Sequence, residues 1–227
     1  MAATTGYRTI YPAIVPRNTA HVDLVMSGGK PENLKDVALA GALLSSIIVD
    51  FVARSTVGKH LRGAFIEGLP GYPIESSEFA IRRFAELNCL TSAFSEMWEE
   101  LTGDSWSART PIRISRDRQI AQIEIDAAIA AALGITADSL CMIYRTQFPV
   151  MRRYDMEDRY DANGRRVPKE ILTQWRKLGE PESMETDELK WAHPQSTREY
   201  TFALPFSMLD REAEIRATYL RLEKLKD

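Results

Sequence analysis

Residues 54–62 hold Arg54, Lys59, His60 and Arg62, with hydroxyls at Ser55 and Thr56 and a glycine at Gly58 that lets the backbone turn. Lys and Arg neutralise phosphate charge, and Arg, Lys, Ser and Thr also hydrogen-bond base edges, so this loop has the residue types for contact with a duplex. A solvated surface loop accounts for the same composition. A second basic stretch, residues 145–166, carries Arg145, Arg152, Arg153, Arg159, Arg165 and Arg166 among Tyr144, Tyr154 and Tyr160. Acids interleave with these arginines, so a salt-bridged surface is the plain alternative there.

Group transfer finds less support. A site for S-adenosylmethionine needs a glycine-rich turn between a strand and a helix, with an acid downstream. Gly28 and Gly29 are followed by Lys30 and Pro31, with no third glycine in register. Amino-methylation of adenine needs an Asn or Asp, two prolines and an aromatic around the flipped base, and the sequence contains no Pro-Pro pair. Asp187, Glu188 and Lys190 have the residue types of a metal-dependent nuclease, but a charged linker supplies them equally well. His21, His60 and His193 are scattered, without a Cys or His at zinc-ligand spacing. No cofactor, metal site or catalytic residue is expected, and the chain is not expected to be an enzyme.

The elements that must position the basic residues follow from periodicity and punctuation. Residues 7–15, aromatic and β-branched, and residues 21–26 read as strands joined by a turn at Arg17 and Asn18. Asn33 is placed to cap one long buried helix reaching about Arg54. Residues 64–66 read as a short strand. Ser76 or Ser77 opens a helix with Phe84, Leu87, Phe94, Trp98 and Leu101 on one face, ending before Gly103. A third helix covers residues 117–133 and stops at Gly134; Thr136 caps the next, to about Gln147; Pro168 opens another, closed by Gly179. Residues 180–190 read as an acidic linker, 200–204 as a strand, and 209 onward as a charged helix. The expected fold is mixed α+β and helix-rich: a small strand-containing recognition module (1–75) packed on long helices, a helical module (76–179), and a linker and tail (180–227).

With 227 residues, a formal net charge of −3 and 27% charged residues, the chain belongs with globular proteins, not with those that coat nucleic acid through bulk positive charge. Cys89 and Cys141 lie in apolar, helical-looking segments and are expected to be buried free thiols in a reducing compartment. The N-terminus lacks the basic-then-apolar pattern of a signal peptide. The apolar run 37–53 is interrupted by Gly41, Ser45, Ser46 and Asp50 and is shorter than the roughly 20 residues of a membrane span. No membrane partner and a cytoplasmic location are expected.

Three segments carry a resemblance in their order and spacing. Residues 7–16 hold Arg8 and Thr9 before an apolar run ending at Pro16. Residues 39–73 hold Asp50, Phe51, Gly58, Lys59, His60, Leu61, Leu69 and Pro70. The third segment runs from Gln122 through Asp126, Ala127 and Ala128 to Gly134, and on through residues 144–149. Together they resemble the C-terminal half of large adenine-specific DNA methyltransferases of the type IIG restriction-modification and phage-defence kind, over about residues 5–178. Where that family usually places an asparagine and aromatics after its His-Leu pair, this chain has Arg62, Gly63, Ala64 and Phe65.

The resemblance implies a non-catalytic, DNA-binding target-recognition part, with double-stranded DNA and a catalytic methyltransferase polypeptide as partners. It also implies a catalytic domain upstream of Tyr7, so the chain is expected to be a separate subunit, an excised piece or a truncated remnant. Arg54, Lys59, His60 and Arg62 are expected to approach the duplex, with Arg8 and Arg17 from the strand-turn unit. The near-neutral charge and the acidic linker suit a second reading, a protein-interaction subunit that docks on a methyltransferase or helicase without touching DNA.

Overall fold

In a computed structural model, residues 6–16, 19–20, 22, 25, 27–28, 33–56, 63–69 and 78–225 are described. Among them the chain is helix-rich, with ten α-helices and one two-stranded antiparallel sheet. The eighteen-residue α6 (Ser115–Ala132) is the central element. Ala121, Ile123, Ile125, Ala127, Ala128, Ile129 and Ala130 are all buried, and a helix apolar on most sides is one that neighbours surround. Around it pack α1 (Leu34–Ser45), α2 (Ile47–Thr56), α4 (Glu78–Asn88), α7 (Ala137–Gln147) and α10 (Arg211–Lys224).

Local signals place several boundaries. The Asn33 side chain accepts from the Asp36 N–H, and that of Thr136 from the Ser139 N–H, as N-caps do. Gly134 and Gly179 follow their helices at φ of 74° and 82°, where a side chain is strained. Gly41 is required by packing: a Cβ there would lie 2.3 Å from a ring carbon of buried Phe84.

The long helix expected over residues 33–54 is instead α1 and α2, bent by 64° at Ser46. The Ser45 and Ser46 hydroxyls donate back to the Ala42 and Leu43 carbonyls, competing with the helical ladder. The Ile47 N–H donates 2.9 Å to Asp126 of α6, so a distant carboxylate caps α2. Among the described residues no single helix is long and apolar enough to cross a membrane; the bent α1–α2 pair passes by length and composition together.

The expected strand over residues 7–15 is absent, because side chains take its N–H groups before a neighbouring strand could. Thr9 donates to both oxygens of Asp50 at 2.9 and 3.0 Å, Arg8 to the Tyr11 hydroxyl, and Ile14 to Asn88. Residues 64–66 lie in the short α3 (Gly63–Glu67), and most of residues 21–26 lie outside the described residues. The helix expected over 77–102 breaks at residues 89–91 into α4, a 3-10 turn and α5 (Ser95–Thr102). The Asn88 amide donates to the Phe84 carbonyl, and the Trp106 indole to that of Cys89.

The boundaries expected at 75 and 179 do not separate cores. One cluster joins Ile10, Leu39, Leu43, Phe84, Ile125 and Ile129 across residue 75. The C-terminal α10 returns to α6 with Ile215 and Thr218 buried. The separate core belongs to an inserted unit: α9 (Lys169–Lys177), a 3-10 turn Thr186–Leu189, β1 (Lys190–Ala192) and β2 (Glu199–Thr201). The strands pair Trp191 with Tyr200, and Ile171, Leu172, Trp175, Leu189, Phe202 and Phe206 fill the interior. The acidic stretch expected to be a linker therefore forms part of a hairpin module.

Asp161 ties the two ends of this module together. Its buried carboxylate accepts from the backbone N–H groups of Asn163, Arg165 and Ala203 and from the Arg165 guanidinium. Burial raises its pKa, but the Arg165 side chain and the N–H groups of Arg165 and Ala203 outweigh this and hold it below the ordinary value. The associated stability is then fully present above the unfolded carboxylate value of about 3.9 and is lost as pH falls through the lower folded value. Acid titration followed by near-UV circular dichroism should show the module's aromatic signal lost in that window. Asp161→Asn should be less stable at pH 7 and lose less stability on acidification; equal pH dependence in both proteins would refute the assignment.

Candidate nucleic-acid interface

The two basic residues expected at the interface that fall in described segments point inward. The Arg8 side chain, 8% exposed, donates to the Ser45 carbonyl at 2.6 Å and pairs with Asp126 at 3.0 Å. Arg54 pairs with Asp50 at 3.1 Å and donates to the carbonyls of Gly6, Tyr7 and Gln147, its guanidinium 4.2 Å from the centre of the Phe148 ring. Both fasten the N-terminal segment to the helices, so neither guanidinium faces outward as the expected duplex contact requires. Arg17, Lys59, His60 and Arg62 lie outside the described residues. The exposed Ser55 and Thr56 close α2 at the start of that loop, with their hydroxyls donating to Phe51 and Val52 carbonyls.

Beneath this surface is a buried polar junction built on α6. Asp126 faces Arg8, the α2 N-terminus and, at 3.7 Å, Arg211 of α10. Arg211 also pairs with Asp155 of α8 (Pro149–Glu157) at 2.6 Å and donates to the Tyr7 hydroxyl. Burial works against the Arg211 charge, but the electrostatics of Tyr7 and Asp155 outweigh it and raise its pKa. Burial likewise pushes the Tyr7 phenol up. Two residues before Asp126, Glu124 takes Arg83 of α4 at 2.6 Å and Arg221 of α10 at 2.7 Å. These contacts orient helices; they pair no nucleophile with a base.

The arginines of residues 145–166 are largely neutralised. Arg145 pairs with Glu212, Arg165 with Asp161 and Arg166 with Asp158, while Arg159 donates to the carbonyls of Met156 and Asp158. Arg152 and Arg153 stay exposed, Arg153 beside the Tyr154 ring. Asp187 pairs with Lys190 on an exposed turn, and among the described residues no three His, Cys, Asp or Glu side chains converge as metal ligands. Cys89 and Cys141 are buried free thiols, and burial pushes Cys89 up to about 11, far from a reactive thiolate.

Between the N-terminal segment, α4 and α6 lies an open cleft of about 170 Å³, with Arg8, Asn88, Arg118 and Gln122 as polar lining and Ile10 and Phe84 in its walls. Arg118 was not among the residues expected from the sequence. A signal was present: residues 105–123 contain four arginines against one acid. Comparison with protein-family models, curated proteins and solved structures finds no match to this chain.

Proposed function

We propose that the chain is the DNA-binding target-recognition part of an adenine-specific DNA methyltransferase of a restriction-modification or phage-defence system, non-catalytic by itself and acting in the cytoplasm. One observation carries the reading: the three segments that resemble that family meet at a single buried junction. Arg8 from the first, Ile47 and Asp50 from the second, and Asp126 from the third are joined by direct hydrogen bonds or through Thr9. This supports their acting as one unit, with α2 held firmly where it leads into residues 57–62.

In this reading Arg8 and Arg54 are the foundation, and Lys59, His60, Arg62 and Arg17 meet the duplex. The chain holds DNA in register while a partner methyltransferase polypeptide flips the target adenine and transfers the methyl group. Charge removal tests it. Lys59→Gln with Arg62→Gln should weaken binding to a duplex and reduce the slope of log affinity against log salt by about 1.8, the counterion release of two phosphate contacts. Fluorescence anisotropy over a salt series reads this, and an unchanged slope counts against the loop.

The protein-docking reading is favoured by Tyr11 and Val15, which stand 70% and 57% exposed on the N-terminal segment. Co-purification with a methyltransferase or helicase polypeptide, together with no DNA binding at low salt, selects it.

A further inference from the structure

Arg109 and Arg113 on the turn leading into α6, and Arg116 and Arg118 in its first turn, have no ion pair among the described residues, in contrast to the arginines of the buried junction. Arg116 is engaged elsewhere by its backbone, whose N–H donates to the Gly164 carbonyl at 2.9 Å. Arg113 and Arg118 sit together where α4 ends. Arg113 donates to the carbonyls of Ala108 at 3.3 Å and Leu90 at 2.8 Å. Arg118 donates to those of Ile112 at 2.7 Å and Leu87 at 3.1 Å.

The Leu87 carbonyl, in the last turn of α4, offers Arg118 the negative end of that helix, and the loop carbonyls of Leu90, Ala108 and Ile112 complete the orientation of the two guanidinium groups. Each guanidinium has five N–H donors, so both retain donors after these contacts. Their charge is not compensated by any described carboxylate at ion-pair distance. Arg118 is half-buried at the cleft beside Asn88 and Gln122, and burial, followed by the charge of Arg113, lowers its pKa. Two oriented, crowded guanidinium groups without a counter-charge are what a phosphate oxyanion complements.

We propose that Arg118, at the edge of the cleft, and Arg113 beside it, with exposed Arg109 on the turn before α6, form a phosphate-binding subsite that takes a phosphodiester of the DNA backbone. This deepens the DNA-binding reading and rests on it for the source of the phosphate. It adds a contact surface separate in sequence from residues 57–62.

The test uses the full chain, a labelled random-sequence duplex and, separately, inorganic pyrophosphate. Arg113→Gln and Arg118→Gln should each weaken duplex binding several-fold and lower the salt slope by about one. Because both residues also hold the end of α4, Arg109→Gln serves as the variant that removes no described side-chain contact; it too should lower the slope. Arg113→Lys should keep most of the slope by retaining the charge. If the wild type binds duplex and the three Gln variants keep its slope, the subsite is overturned while DNA binding through residues 57–62 stands. If the wild type binds no duplex even at low salt, the DNA reading fails. Pyrophosphate titration then decides the subsite: shifts at the Arg113 and Arg118 side-chain N–H resonances support a free-phosphate site, and their absence overturns it.

Discussion

Asp126→Ala should destabilise the protein by about 3–5 kcal/mol, the range for leaving buried charges without their partner. The loss falls on three groups at once. Arg8 and Arg211, 6% and 3% exposed, lose a counter-charge, and the Ile47 N–H at the start of α2 loses its acceptor. Asp126→Asn keeps an acceptor for Ile47 and should fall between the wild type and Asp126→Ala. Urea denaturation followed by far-UV circular dichroism reads the change as a lower midpoint at unchanged slope. Arg8→Met with Asp126→Leu should cost less than the sum of the two single changes, since the pair is removed together. A cost below about 1 kcal/mol for Asp126→Ala, the level of an exposed pair, would mean that the junction is not the dry, coupled cluster described.

Trp175→Ala should also cost about 3–5 kcal/mol, the range for truncating a buried aromatic, but its effect should be confined. Trp175 packs edge-on against Phe206, with ring centres 5.3 Å apart, and its indole N–H donates to the Pro181 carbonyl at 3.1 Å. The module it fills has its own small core, distinct from the clusters around α6. Removing its largest buried side chain should therefore open residues 169–206 locally. Native-state hydrogen exchange should show protection lost there and kept in α6. Equal loss in both regions would show that the module and the α6 body form one cooperative unit.

The parts of the fold legible in the sequence are those set by local interactions. Asn33, Thr136, Gly134 and Gly179 act on neighbours a few residues away, so the starts of α1 and α7 and the ends of α6 and α9 were readable. The break at Ser46 was less so, because the acceptor that caps α2 lies 79 residues further on. The N-terminal segment has the aromatic and β-branched composition of a strand, yet Asp50 and Asn88 take its donors, and composition carries no trace of those partners. The return of α10 to α6 is equally non-local.

The same limit applies to the candidate interface. Residue type does not separate an arginine that meets phosphate from one that braces the fold. Arg54 carried a usable hint, since Asp50 precedes it by four residues, the spacing of a helical ion pair. Arg8 carried none, because Asp126 is 118 residues away. The arginine excess of residues 105–123 was visible, but only the carbonyls of Leu87, Leu90, Ala108 and Ile112 show how two of those side chains are oriented.

The proposed role is binding of duplex DNA through a few phosphate contacts in the service of a methyltransferase. Its most direct test is the affinity of the purified chain for a random-sequence duplex over a salt series, alone and with the catalytic methyltransferase polypeptide. With about five phosphate contacts, two from Lys59 and Arg62 and three from Arg109, Arg113 and Arg118, affinity should fall roughly 500-fold between about 50 and 200 mM salt, and the partner should tighten binding. No binding at low salt, with or without the partner, would contradict the claim.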